Sequence, residues 1–194
     1  MDMRGAQKPI ANYFITGFTA CGKTSVGQLL ARHLDLRFVD LDDMLQARAG
    51  RPIPVLFNEI GEERYRILEA SLLRELVQES GQVIALGAGT ITFQPSMELV
   101  RAHGLMIFLD TDLDVVYRRV RYSEKRFLFR LPGESDVPDE EELLLRIRTL
   151  YEIRKPYYQT ADIRIGLSEQ TPEQVVQEIL FALQNFGLHV ERTE

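Results

Sequence analysis

Residues Gly17-Phe18-Thr19-Ala20-Cys21-Gly22-Lys23-Thr24 fit the spacing G-x-x-x-x-G-K-[ST] of a phosphate-binding loop. An apolar run, Tyr13-Phe14-Ile15, precedes the loop, and a helical pattern through Val26, Leu29, Leu30 and Leu34 follows it. A loop between a strand and a helix wraps successive backbone N–H groups around a phosphate, and the helix N-terminus adds partial positive charge. Lys23 suits the β- and γ-phosphates of a nucleotide, and the Thr24 hydroxyl suits Mg2+. This segment therefore asks for a strand–loop–helix unit at the start of the fold and a nucleotide as ligand.

Downstream, short apolar runs alternate with helical patterns. The expected strands cover residues 13–16, 37–39, 83–86, 105–109 and 163–165. Between them lie amphipathic stretches such as 62–80, with Ile67, Leu68, Leu72, Leu73, Leu76 and Val77 expected on one face. Strands alternating with helices imply crossover units and a parallel sheet covered on both faces. Thr171-Pro172-Glu173 reads as a cap with proline at the first helical position, opening a last helix to about Phe186. Residues 1–10 and 187–194 are expected to be loose ends.

The chain of 194 residues suggests one domain, and its 45% hydrophobic content suffices for a sizeable core. A net charge of −6 speaks against nucleic acid or an anionic membrane as the main partner. One cysteine, Cys21, permits no intrachain disulfide and fits a reducing compartment. The first nine residues are polar, without the apolar stretch of a secretory signal, and no apolar run approaches a membrane span. The expectation is a cytoplasmic protein working as a monomer.

Arg118, Arg119, Arg121, Lys125, Arg126 and Arg130 crowd one region, followed by Leu131-Pro132-Gly133 and the acidic run Asp139–Glu142. The acidic run suits the N-terminus of the next helix. The basic region, about 121–138, reads as a mobile lid that lays arginines on phosphates.

Asp40-Leu41-Asp42 stands at the end of the second expected strand, where open parallel sheets bind ligands. Strand alternation would put both carboxylates on one side, one to hold Mg2+ through water, the other to accept a hydrogen bond or proton from an attacking hydroxyl. Asp43 is a candidate helix cap. Arg66 and Glu69 are three apart on a helix, a spacing that gives either a surface pair or an oriented guanidinium that binds a carboxylate. Leu86-Gly87-Ala88-Gly89-Thr90 ends the third strand, and its glycines let a ligand approach the main chain. Arg154-Lys155-Pro156-Tyr157-Tyr158 reads as a helix end, stopped by proline. Cys21 reads as a small residue filling the turn. His33, His103 and His189 are scattered without partners at ligand spacing, so no zinc site is expected.

Taken in order, Gly22-Lys23-Thr24-Ser25-Val26-Gly27, Phe38-Val39-Asp40-Leu41-Asp42, Arg66 to Glu69, Leu86-Gly87-Ala88-Gly89, Arg126-Phe127-Leu128 and Arg154-Lys155-Pro156-Tyr157-Tyr158 make the chain resemble the shikimate kinases, from about residue 13 to 183. The resemblance implies an α/β fold of the three-layer P-loop kinase type, with a five-stranded parallel sheet in order 2-3-1-4-5 flanked by helices. Substrate-binding helices would span about 42–80. It implies ATP-dependent phosphorylation of the shikimate 3-hydroxyl, giving ADP, on the route to chorismate and aromatic amino acids.

On this resemblance the nucleotide set is Ala20, Cys21, Gly22, Lys23, Thr24, Ser25, Arg119 and Arg126, with Arg119 near adenine. Thr24 and Asp40 would serve Mg2+. Asp42, Arg66, Gly87, Ala88, Gly89 and Arg154 would bind shikimate, Arg66 and Arg154 clamping its carboxylate and Glu69 steadying Arg66. Lys23, Asp42 and Arg126 would carry the catalysis. Three positions depart from the family pattern: Ala20 and Ala88 where glycine is usual, and Phe127 where proline is usual. At Ala88 a positive φ would cost about 1 kcal/mol or more, whereas a negative φ would leave the methyl only to narrow the pocket. Other readings of the same residues are a kinase for a gluconate-like acid or a nucleoside monophosphate, and a nucleotide-binding regulatory module without turnover.

Overall fold

A computed structural model describes residues 11–123, 129 and 138–186 of the chain. Five strands form one wholly parallel sheet: β1 (Asn12–Gly17), β2 (Arg37–Asp40), β3 (Gln82–Ala85), β4 (Gly104–Thr111) and β5 (Ile163–Leu167). Their spatial order is β2-β3-β1-β4-β5, as the resemblance implies. The helices among the described residues are α1 (Lys23–His33), α2 (Leu41–Ala49), α3 (Ile53–Leu76), α4 (Gln94–His103), α5 (Leu113–Val120), α6 (Glu140–Tyr158) and α7 (Pro172–Asn185), and none is long and apolar enough to cross a membrane.

Side chains alternate across each strand, and the two faces build separate cores. Phe14, Val39, Ile84, Met106 and Phe108 pack with α2 to α6. Ile15, Val83, Leu105, Ile107 and Ile163 pack with Val26 and Leu30 of α1 and Val176, Ile179 and Leu183 of α7. Both faces of the central strands β3, β1 and β4 being covered, these read as short apolar runs, whereas the edge strand β5 alternates buried and exposed residues.

Short side-chain caps start several helices. Asp112 opens α5, Asp139 opens α6, and Thr171 with Gln174 forms a capping box on α7. Those last two starts match the sequence expectation. At α2 the cap is Asp40 rather than Asp43, because β2 runs straight into the helix.

Three expectations are corrected. The helix expected over 62–80 is longer at its N-terminal end: α3 starts at Ile53 and bends at Gly61, whose backbone (φ 76, ψ 166) is not helical. Beyond that bend the buried face carries Tyr65, Arg66, Glu69, Leu72, Leu73, Leu76 and Val77, while Ile67 and Leu68 are exposed. The apolar pattern misassigned this face because a buried ion pair occupies positions that hydrophobicity alone gives to solvent. Pro156 does not stop α6, which continues to Tyr158. Pro156 removes the bond that an N–H at this position would make to the Glu152 carbonyl, and the helix runs only two residues beyond it.

Candidate active site

All five strands end toward one edge of the sheet, and the candidate residues gather there. Gly17 (φ 150) makes the turn out of β1; a Cβ there would meet the Leu109 carbonyl at 2.7 Å and Cys21 Sγ at 2.8 Å. Cys21 is buried against that space, as a turn filler. Gly22 (φ 102) is the N-cap of α1 and supplies no side-chain cap, so the first N–H groups of the helix open toward the loop. Ser25 lies exposed on the first turn of α1. Lys23 Nζ donates to the carbonyls of Gly17 and Phe18, both at 3.0 Å, and so lies across the loop mouth. Ala20 takes φ 61, the left-handed region, where its methyl costs about 1 kcal/mol. The Ala20 carbonyl accepts from Arg119 Nη1 at 3.0 Å, which ties α5 to the loop. Arg126 and Phe127 lie outside the described residues, as do most of the lid region and the two chain ends.

Asp40 and Asp42 do share a site, although not by strand alternation. Asp40 is the last residue of β2, and Asp42 lies in the first turn of α2. Asp40 Oδ1 accepts from the backbone N–H of Asp42 at 3.0 Å, and its Oδ2 accepts from the Thr24 hydroxyl at 2.7 Å. One carboxylate thereby joins the phosphate loop to the start of α2. Asp42 is half-buried, and its pKa is pushed up to about 6 by burial and by the charge of Glu69, with Lys23 pulling the other way.

Arg66 and Glu69 form a buried pair. Glu69 is 0% exposed, and its Oε2 accepts from Arg66 Nη1 at 2.8 Å. Burial works against the Arg66 charge, but Glu69 outweighs it and holds the group above the ordinary arginine range. Arg66 Nη2 reaches Glu62 at 3.4 Å, and Arg66 Nε is buried with no acceptor among the described residues. The guanidinium lies directly over Gly89, where any Cβ would collide with it. Gly87 is similarly hemmed in: a Cβ would stand 2.7 Å from Glu69 Oε1 and 2.9 Å from Asp42 Oδ1. Neither glycine has a positive φ, so both are required by close approach rather than by backbone conformation. Ala88 likewise has no positive φ, and its methyl carries no backbone strain.

Arg154 arrives from α6. Its guanidinium stands 5.9 Å from the centre of the Phe18 ring, in the phosphate loop. Burial lowers its pKa, the Tyr158 hydroxyl partly offsets this, and the like charge of Arg66 adds to it. Among the described residues no carboxylate pairs with Arg154. Arg66, buried and with a free Nε–H, and the half-buried Arg154 bring two neighbouring guanidiniums together, a charge and donor set that suits a carboxylate. Beside it Asp42 faces the phosphate loop. The arrangement sets a loop suited to an anion at one end, the two guanidiniums at the other, and the Asp42 carboxylate between them.

Some contributors stand in segments quoted from the sequence without a role assigned to them there. Tyr158 is fully buried, and its hydroxyl donates to the Ala88 carbonyl at 2.6 Å, which fixes the glycine loop to α6. Phe18 packs edge-on against Tyr151, with ring centres 5.7 Å apart. His33 and His103 each meet the carbonyl of a residue one helical turn back, at 2.9 Å.

The family model described as shikimate kinase matches residues 19–184. A shikimate kinase of Sulfurihydrogenibium sp. (strain YO3AOP1) is 33% identical over 169 residues, 87% of this chain and 95% of the relative. One of Thermus thermophilus is 35% identical over 173 residues, 89% of this chain and 90% of the relative. The solved shikimate kinase from Acinetobacter baumannii, in complex with shikimate, superposes with a TM-score of 0.83 at 28% identity, covering 93% of this chain and 97% of that one.

Proposed function

The chain belongs to the shikimate kinase family, and from that premise we propose that it transfers the terminal phosphoryl group of ATP to the 3-hydroxyl of shikimate. The products are 3-phosphoshikimate and ADP, and the reaction stands on the route to chorismate and aromatic amino acids. The observation that carries the acid half of this reading is the pair of neighbouring guanidiniums, Arg66 buried and Arg154 half-buried, beside the Gly87–Gly89 loop.

In this reading the loop N–H groups and Lys23 hold the nucleotide phosphates. Lys23 exchanges its loop carbonyls for phosphate oxygens. Arg66 and Arg154 bind the shikimate carboxylate, and Gly87 to Gly89 line the ring. The acceptor hydroxyl then points to Asp42. The oxygen of that hydroxyl forms the new bond to the γ-phosphorus while the bond to the β–γ bridging oxygen breaks. Asp42, with a pKa near 6, is ionised at neutral pH and accepts the hydroxyl's hydrogen bond and proton. Arg126 is assigned to charge on the transferring group, and Arg119 to the adenine side.

The Thr24 hydroxyl and the Asp40 carboxylate touch each other beside the loop and are hard oxygen donors. They suit Mg2+, which binds through one or two such groups together with water and phosphates. When bound, that ion neutralises phosphate charge. Thr24 and Asp40 are the residues that would hold it. The single cysteine suits a reducing, cytoplasmic setting.

A coupled ADP-release assay with shikimate, gluconate, AMP and no acceptor tests the reading. ADP release that depends on shikimate and on neither other acceptor is expected. Release with gluconate or AMP instead would replace the substrate, and ATP binding without turnover on any of them would favour a regulatory module.

A further inference from the structure

Thr90 opens the 3-10 turn Thr90–Thr92 directly after Gly89 and is 0% exposed. Its hydroxyl donates to Glu69 Oε1 at 2.7 Å. The other oxygen of the same carboxylate accepts from Arg66 Nη1 at 2.8 Å. Thr90, Glu69 and Arg66 thus form a continuous buried chain ending on the guanidinium that lies over Gly89. The geometry points to Thr90 as a positioning residue for the acid-binding arginine: its hydroxyl locks Glu69 in the one rotation that sets the Arg66 fork. The inference rests on the reading that Arg66 binds the acceptor's carboxylate.

The crowding around Gly87 shows why a lock is needed. A Cβ at Gly87 would stand 2.7 Å from Glu69 Oε1, 2.9 Å from Asp42 Oδ1 and 3.0 Å from Thr90 Oγ1. Two carboxylate oxygens and one hydroxyl therefore face one another across a single glycine. The carboxylates repel. The Thr90 proton is the donor between them that gives Glu69 Oε1 a reason to stay. Without it Oε1 becomes a buried acceptor with no donor beside a like charge. Turning the carboxylate away from Asp42 would then also move Oε2 from Arg66, since the two oxygens move together.

Valine matches threonine in shape and lacks the hydroxyl. In the full-length protein Thr90→Val should raise KM for shikimate roughly 10-fold, corresponding to about 1.4 kcal/mol. KM for ATP should stay within about twofold, because the phosphate loop is not touched. Thr90→Ser keeps the hydroxyl and should restore most of the loss. In an Arg66→Ala background Thr90→Val should add almost nothing, since its effect runs through Arg66. A packing role would give the opposite set: both KM values rise, serine fails to rescue, and the two losses multiply. Should Thr90→Val fail to fold, Thr90→Ala, which empties the space instead of filling it with a methyl, takes its place. A wild-type chain that does not consume shikimate sinks this inference together with the proposed function. A wild type that does consume it, with Thr90→Val or Thr90→Ala unchanged in shikimate KM, sinks the inference alone.

Discussion

At Asp42 the proposed chemistry and the stability of the protein pull in opposite directions. Burial and the Glu69 charge raise its pKa to about 6, against the ordinary 3.8. The ionised form is the one that accepts a proton, so kcat/KM for shikimate should fall as pH drops through about 6. A profile flat down to pH 5 would remove Asp42 from the chemistry. The linkage runs the other way for folding. Between pH 3.8 and 6 the folded protein binds more protons at this site than the unfolded chain, so the site's contribution to stability rises as pH falls through that window. Above it the charged carboxylate costs at most about 3 kcal/mol. Its favourable place in the first turn of α2 returns only about 0.3–1 kcal/mol. Asp42→Asn should therefore abolish most turnover while raising stability at pH 7 by about 1–2 kcal/mol, read by thermal unfolding. A destabilised variant would mean the charge is better solvated than its burial implies. Lys23, Thr24 and Arg66 were legible in the sequence because each sits in a motif with a local spacing. Thr90 was not, because its partner lies across the fold on α3 and no spacing announces a contact of that kind.

At the level of elements, α3 shows how a helix can be recognised and its exposed face misjudged. Periodicity found the segment, and the buried Arg66–Glu69 pair displaced Ile67 and Leu68 to solvent. Breaking such a pair leaves an uncompensated buried charge, which makes it far more consequential than the surface pair its spacing usually signifies. The bend at Gly61 divides α3 and lets its second part aim that pair at the glycine loop. Gly61 has open space around a would-be Cβ, so sterics with neighbours do not require glycine there. Its backbone does: φ 76 with ψ 166 is a region essentially reserved for glycine. Gly61→Ala should cost about 1–3 kcal/mol in denaturant unfolding. A change below about 0.5 kcal/mol would show that the bend relaxes freely. No sequence rule separates this glycine from an ordinary weak point in a helix, since the deciding quantity is its own dihedral.

Across the whole molecule, the site draws on β1 and its loop, the β2–α2 junction, α3, the loop after β3 and α6. Parallel topology makes this possible, because every strand delivers its C-terminal end to the same edge. The parallel sheet and its two covered faces were legible in the alternation of apolar runs with helical patterns, whereas the strand order was implied only by the family resemblance. The path by which distant segments meet was not, since it is set by packing between elements.

The same strand order has a temporal side. β1 is made first yet sits in the middle, where Tyr13 pairs with Val83 and with Leu105. The core beneath it is closed by α7, at the far end of the fold. A growing chain therefore carries its central strand through much of its synthesis with one or both neighbours still to come. Ribosome-bound chains ending before Gly104 should remain open to protease around β1, and resistance should appear only once α7 has emerged. Early resistance would mean that β1, β2 and β3 close without their later partners. The expected order is that the phosphate loop is synthesised before four of the five strands and acquires its shape only after they have closed around β1.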